Sequence, residues 1–95
     1  MSGDIATLRR ELDKIDREIT ALFEKRMEVS RQVAAYKKEN NLPVLDAGRE
    51  EQVLLSRVDM LFDRSLEPSC RALFTEIMRL SRLAQEEFLM RGEAK

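Results

Sequence analysis

Histidine and tryptophan are absent from this 95-residue chain, and cysteine occurs once, at Cys70. Each absence removes a class of chemistry. A histidine/cysteine metal centre and a histidine-based catalytic triad cannot be built, and no metal is expected. One cysteine excludes an internal disulfide and fits a reducing compartment, so a cytoplasmic location is expected. Four Phe and one Tyr offer little for stacking on bases. The 17 basic residues are interleaved with 18 acidic ones, for a net charge of −1, and form no basic block, which argues against nucleic acid. No apolar run approaches membrane-spanning length, and the first residues carry no charged-then-apolar signal pattern. Proline is found only at Pro43 and Pro68, and no glycine lies between Gly3 and Gly48. Any chemistry must come from Arg, Lys, Asp, Glu, Ser, Gln or Tyr.

What is present is a long heptad seam. Ile5, Leu8, Leu12, Ile15, Ile19, Leu22, Val29, Val33 and Tyr36 recur at steps of three and four, or seven across one gap. The spacing predicts one helix over residues 4–39, capped by Ser2 or Asp4 and ended where Asn40, Asn41 and Pro43 favour a turn. A second helix is predicted over 47–62, capped by Asp46, with Val53, Leu54 and Leu61 on its apolar face. A third is predicted over 67–91, with Pro68 in its first turn, Ser65 or Glu67 as cap, and Cys70, Leu73, Ile77, Leu80 and Ala84 in heptad steps. Glu11 with Lys14, and Asp13 with Arg17, read as ion pairs of a solvated face. No strand pattern competes, so the expectation is a single all-α domain, 1–95, built as a three-helix protomer.

The first helix is too long for such a protomer. About 34 residues span roughly 50 Å, whereas a compact domain of about 100 residues has a radius of gyration near 13 Å. Its far end overhangs, and a second copy is the economical cover.

Polar residues interrupt this plan at five places. Arg26 stands where the seam calls for an apolar residue. Either the seam has drifted round a 3.6-residue helix by that point, or the cation has an anionic partner; the pattern alone leaves both open. Lys37 follows eleven residues later, on the same face and roughly 16 Å along the axis. The pair is either two unrelated surface cations or two side chains enclosing a small anion. Ser81 and Gln85 share a direction beside Leu80 and Ala84, as boundary residues or as site groups. Asp46, Arg49 and Glu50 open the second helix, where a cap, its i+3 partner and a dipole-favoured carboxylate would suffice to explain them. Arg9 is roughly 25 Å from Arg26 and cannot share a small site with it in one chain. In an antiparallel two-fold dimer it can, twice over. Together these groups suit a small polyanion carrying a hydroxyl. They include no evident nucleophile–base pair, so such a site works by holding a conformation and stabilising developing charge.

These residues resemble the all-helical chorismate mutases. The matching stretches are Leu8-Arg9, Ile15-Asp16, Glu24-Lys25-Arg26, Lys37, Pro43-Val44-Leu45-Asp46, Arg49-Glu50, and Ser81 followed by Gln85. The resemblance implies an intertwined antiparallel homodimeric helical bundle with two shared sites. It implies the cofactor-independent Claisen rearrangement of chorismate to prephenate, a step toward phenylalanine and tyrosine. Arg26 and the partner subunit's Arg9 would bind the two substrate carboxylates. Lys37 and Gln85 would donate to the ether oxygen, Glu50 and the Asp46 region would hold the ring hydroxyl, and Arg49 and Ser81 would complete the polar wall. The alternatives are an isochorismate–pyruvate lyase on the same fold, which Glu50 disfavours, and a non-catalytic dimeric helical interaction module.

Overall fold

A computed structural model describes residues 3–93 of the chain. It contains α1 (Ile5–Glu39), α2 (Ala47–Asp59), a single 3₁₀ turn (Arg64–Leu66) and α3 (Glu67–Glu93). No strand occurs among the described residues. None of the helices is long and apolar enough to cross a membrane.

The ends of α1 follow from local chemistry. Asp4 is extended at φ −92°, ψ 153°, and its Oδ1 accepts from Thr7 N at 2.7 Å. That satisfies one of the backbone donors a helix start leaves unpaired, and it holds the Asp4 carboxyl below the usual carboxylate range. Ser2, the other candidate cap, lies outside the described residues. At the far end Asn41 enters the left-handed region at φ 54°. Asn41 N donates to Lys38 O and Leu42 N to Lys37 O, the paired bonds of a Schellman stop. Asparagine is one of the few side chains that accepts this backbone state.

α2 begins as expected, with Asp46 Oδ1 accepting from Arg49 N at 3.0 Å. It ends at Asp59, three residues short of the predicted 62. Met60 N and Leu61 N turn to carbonyls three residues back, and Asp63 then draws Ser65 N (3.0 Å) and Ser65 Oγ (2.6 Å) onto its own carboxylate. Asp63, not Ser65 or Glu67, is therefore the cap of the connection. Its 3₁₀ turn leads straight into α3, with Pro68 in the first turn. α3 continues through Arg91 and Gly92 to Glu93, two residues past the predicted end.

The backbone of α3 packs against both α1 and α2, which do not pack on each other. The core is small: Met27, Ala34, Val53, Val58 and Met78, with Ser30, Ser81 and Gln85 buried among them. On α3 the buried stripe is thus Met78, Ser81 and Gln85, one position beyond the predicted heptad seam. Leu73 remains exposed, while Cys70, Ile77, Leu80 and Ala84 are half-buried. Leu73, Ile77 and Leu80 join Ile19, Leu22 and Phe23 of α1 around an apolar cleft of about 590 Å³ that Arg26 also lines. The radius of gyration is 17.0 Å and the longest extent 55 Å, because residues 8–25 of α1 are exposed on every side. The pairs expected at Glu11/Lys14 and Asp13/Arg17 do not close. Glu28–Arg31, Arg64–Glu67 and Glu76–Arg79 do.

Candidate active site

The second half of α1, the loop after it, the start of α2 and the middle of α3 surround a cavity of about 270 Å³. From α1 it receives Arg26, Ser30 and Lys37; from the loop, Val44 and Asp46. α2 contributes Arg49, Glu50 and Val53, and α3 contributes Met78, Ser81, Arg82 and Gln85. Every site residue predicted from the sequence borders this cavity except Arg9, which is exposed on the uncovered half of α1. Val29 and Val33 of the seam also line it, so the cavity opens beside the uncovered apolar face.

The cations are arranged differently from one another. Lys37 Nζ donates to the carbonyl of Val44 at 2.6 Å. One of its three N–H groups thus clasps the loop, and the ammonium stays at the cavity wall with others to give. Arg26 is half-buried, and no carboxylate pairs with it among the described residues. Burial, followed by the nearby guanidiniums of Arg57 and Arg49, pulls its pKa down from the usual arginine range. It remains a cation, but one whose charge is under-compensated, and an anion placed beside it offsets that cost. Arg49 sends Nη1 to Gln52 Oε1 at 2.8 Å; Asp46 takes the Arg49 backbone N–H and not the side chain expected at i+3.

The polar neutral groups form a buried cluster. Ser81 and Gln85 are buried rather than at a half-exposed boundary. Ser30 Oγ and Ser81 Oγ are 2.6 Å apart, and Gln85 Nε2 donates to Ser81 Oγ at 3.3 Å. Gln85 Oε1 is buried without a partner.

Two polar cavity residues escape a reading of the sequence, Ser30 and Arg82. Ser30 lies one turn beyond Arg26 on the same face, which is a usable signal. Arg82 Nη1 donates to both carboxylate oxygens of Glu50, across from α3 to α2. Nothing in a periodic pattern announces that pairing, since the partners are 32 positions apart.

The chain as a whole has a counterpart among known protein families. The sequence model of the family described as chorismate mutase type II matches residues 8–86. The chain belongs to that family. As a chorismate mutase family member it is assigned to an isomerase class whose substrate is chorismate, and the three α-helices without strands among the described residues agree with the all-helical expectation. No match was found among curated protein sequences or among solved structures.

Proposed function

We propose that the protein is a homodimeric chorismate mutase that rearranges chorismate to prephenate in the cavity at Arg26, Lys37 and Gln85. The observation that carries this reading is the under-compensated Arg26, which faces the same cavity as Lys37, Glu50 and Gln85. The reaction breaks an ether C–O bond and forms a C–C bond within one molecule, with no proton transferred. What the site must supply is a folded substrate and charge stabilisation where the ether oxygen becomes negative.

Arg26 and the partner subunit's Arg9 bind the two carboxylates of the dianion, with Arg49 and Ser81 beside one of them. Lys37 and Gln85 donate to the ether oxygen, so their attraction grows as the bond breaks. Glu50, beside Asp46, accepts from the ring hydroxyl. Arg82 neutralises Glu50, which lets a carboxylate serve in a dianion site without repelling the substrate.

The dimer rests on the seam. The seam side chains in the first half of α1 take no part in the protomer's core: Leu12 is 56 % exposed, Ile19 58 % and Leu22 65 %. Burying such side chains contributes about 1.5–3 kcal/mol each. A second α1 running antiparallel covers them, closes the cavity beside Val29 and Val33, and delivers Arg9.

The test is an assay of chorismate disappearance with prephenate formation, run beside isochorismate. Prephenate from chorismate is expected; salicylate and pyruvate from isochorismate, without prephenate from chorismate, would establish the lyase instead. Lys37→Ala is expected to lower kcat by about 10²–10³-fold with helicity unchanged. Undiminished turnover would remove Lys37 from the mechanism.

A further inference from the structure

Arg82 enters the cavity from α3 and reaches across to α2, where its Nη1 donates to both carboxylate oxygens of Glu50. The polarity of this contact is fixed by the groups themselves, since a guanidinium only donates and a carboxylate only accepts. Both side chains are half-buried, Arg82 at 30 % and Glu50 at 26 % exposure, so the pair is less screened than one in open solvent.

What Arg82 changes is the charge that a substrate meets. Four cations line the cavity, Arg26, Lys37, Arg49 and Arg82, with two carboxylates, Asp46 and Glu50. Neither carboxylate is free. Asp46 caps α2, its Oδ1 taking the Arg49 N–H at 3.0 Å, and Glu50 is held by Arg82. The cations are the reverse: among the described residues Arg26, Lys37 and Arg49 have no carboxylate partner. Without Arg82, Glu50 would be a strong attractor for a positive substituent. With Arg82 on both its oxygens it still accepts from a neutral hydroxyl, because a carboxylate has about four lone-pair sites. A positive group in the same place meets the guanidinium at close range and is repelled.

We infer that Arg82 is a specificity-determining residue: by occupying Glu50 it leaves the cavity an acceptor for a ring hydroxyl and closes it to a protonated ring amine. The ring in question rests on the mutase reading, in which Glu50 holds the hydroxyl of chorismate.

The test is a competition between chorismate and its analogue with an amino group in place of the ring hydroxyl, at a pH where that amine is protonated. The ratio of the two kcat/KM values does not depend on how much of a variant is folded, and the intrinsic reactivity of each compound cancels when ratios are compared between proteins. For a variant without turnover, the ratio of the two dissociation constants takes its place. Arg82→Gln is expected to lower the preference for chorismate roughly tenfold relative to wild type, the partial exposure of the pair keeping the effect moderate. Arg82→Lys keeps the charge and is expected to hold the preference within about threefold of wild type. An unchanged preference in Arg82→Gln, or an equal fall in Arg82→Lys, overturns the inference and leaves the mutase reading standing. A wild-type protein that turns over neither compound overturns the mutase reading, and the inference with it.

Discussion

The two halves of α1 share one heptad pattern and meet opposite fates. In the first half no residue from 8 to 25 is buried, and all are exposed to solvent. In the second half Met27, Ser30 and Ala34 are buried against the rest of the protomer. The buried stripe, however, is not the seam. Val29, Val33 and Tyr36 continue the seam and are still 40–61 % exposed. The helix therefore has two working faces, an apolar one running its whole length and a short, partly polar one facing α3. Arg26, Ser30 and Lys37 lie where the two meet. The length of an apolar seam says how much must be covered, not by which chain.

That contrast can be broken at several points. The largest effect is expected from Arg9→Ala and Arg26→Ala, one in each half of the helix. Each should lower activity by about 10²-fold or more. Mixing the two after subunit exchange should restore about one quarter of wild-type activity, because half the dimers are mixed and each carries one intact site. Absence of recovery, with exchange proven by mass, would mean that Arg9 serves no partner site.

Next comes a pair of substitutions that treats the halves as different structures. Ile15 lies on the exposed seam, outside the protomer's core, so for Ile15→Asp sedimentation should show loss of the dimer and turnover should fall with it. Met27→Ala empties a buried position and should lower unfolding stability by about 2–5 kcal/mol. Should Ile15→Asp leave assembly and activity intact, the exposed seam has another purpose.

The smallest effect concerns the start of α1. The folded Asp4 carboxyl is held below its usual range by the Thr7 N–H. A depressed carboxylate pKa stabilises the fold above the unfolded value, and that contribution is lost as pH falls through the folded value. Asp4→Ala should thus melt slightly below wild type at neutral pH and level with it under acid conditions where Asp4 is protonated in both states. A gap that persists at such pH would assign it to something other than the charged cap.

Much of this is legible in the chain. The caps at Asp4 and Asp46 and the stop at Asn40 and Asn41 depend on neighbours a few positions away, and local chemistry is enough to find them. The shared face of Arg26 and Lys37 is legible too, because helical geometry fixes it. Periodicity overruns the end of α2 because it does not weigh Asp63, which competes for the backbone donors there. It also picks the wrong buried face of α3: the apolar seam looks like the inner one, whereas the inner stripe carries Ser81 and Gln85. The Glu50–Arg82 ion pair depends on how two helices cross, which no local pattern encodes.

The bond from Lys37 Nζ to the Val44 carbonyl sets a constraint of a different kind. A lysine side chain has a fixed reach, and this one spans from the last turn of α1 to the residue two before the cap of α2. It works as a gauge on the connection. A residue inserted or deleted between Lys38 and Val44 would move the carbonyl out of the gauge and shift Asp46, Arg49 and Glu50 relative to Arg26. Length variation is therefore expected to be tolerated in the turn from α2 to α3 and refused in the turn from α1 to α2.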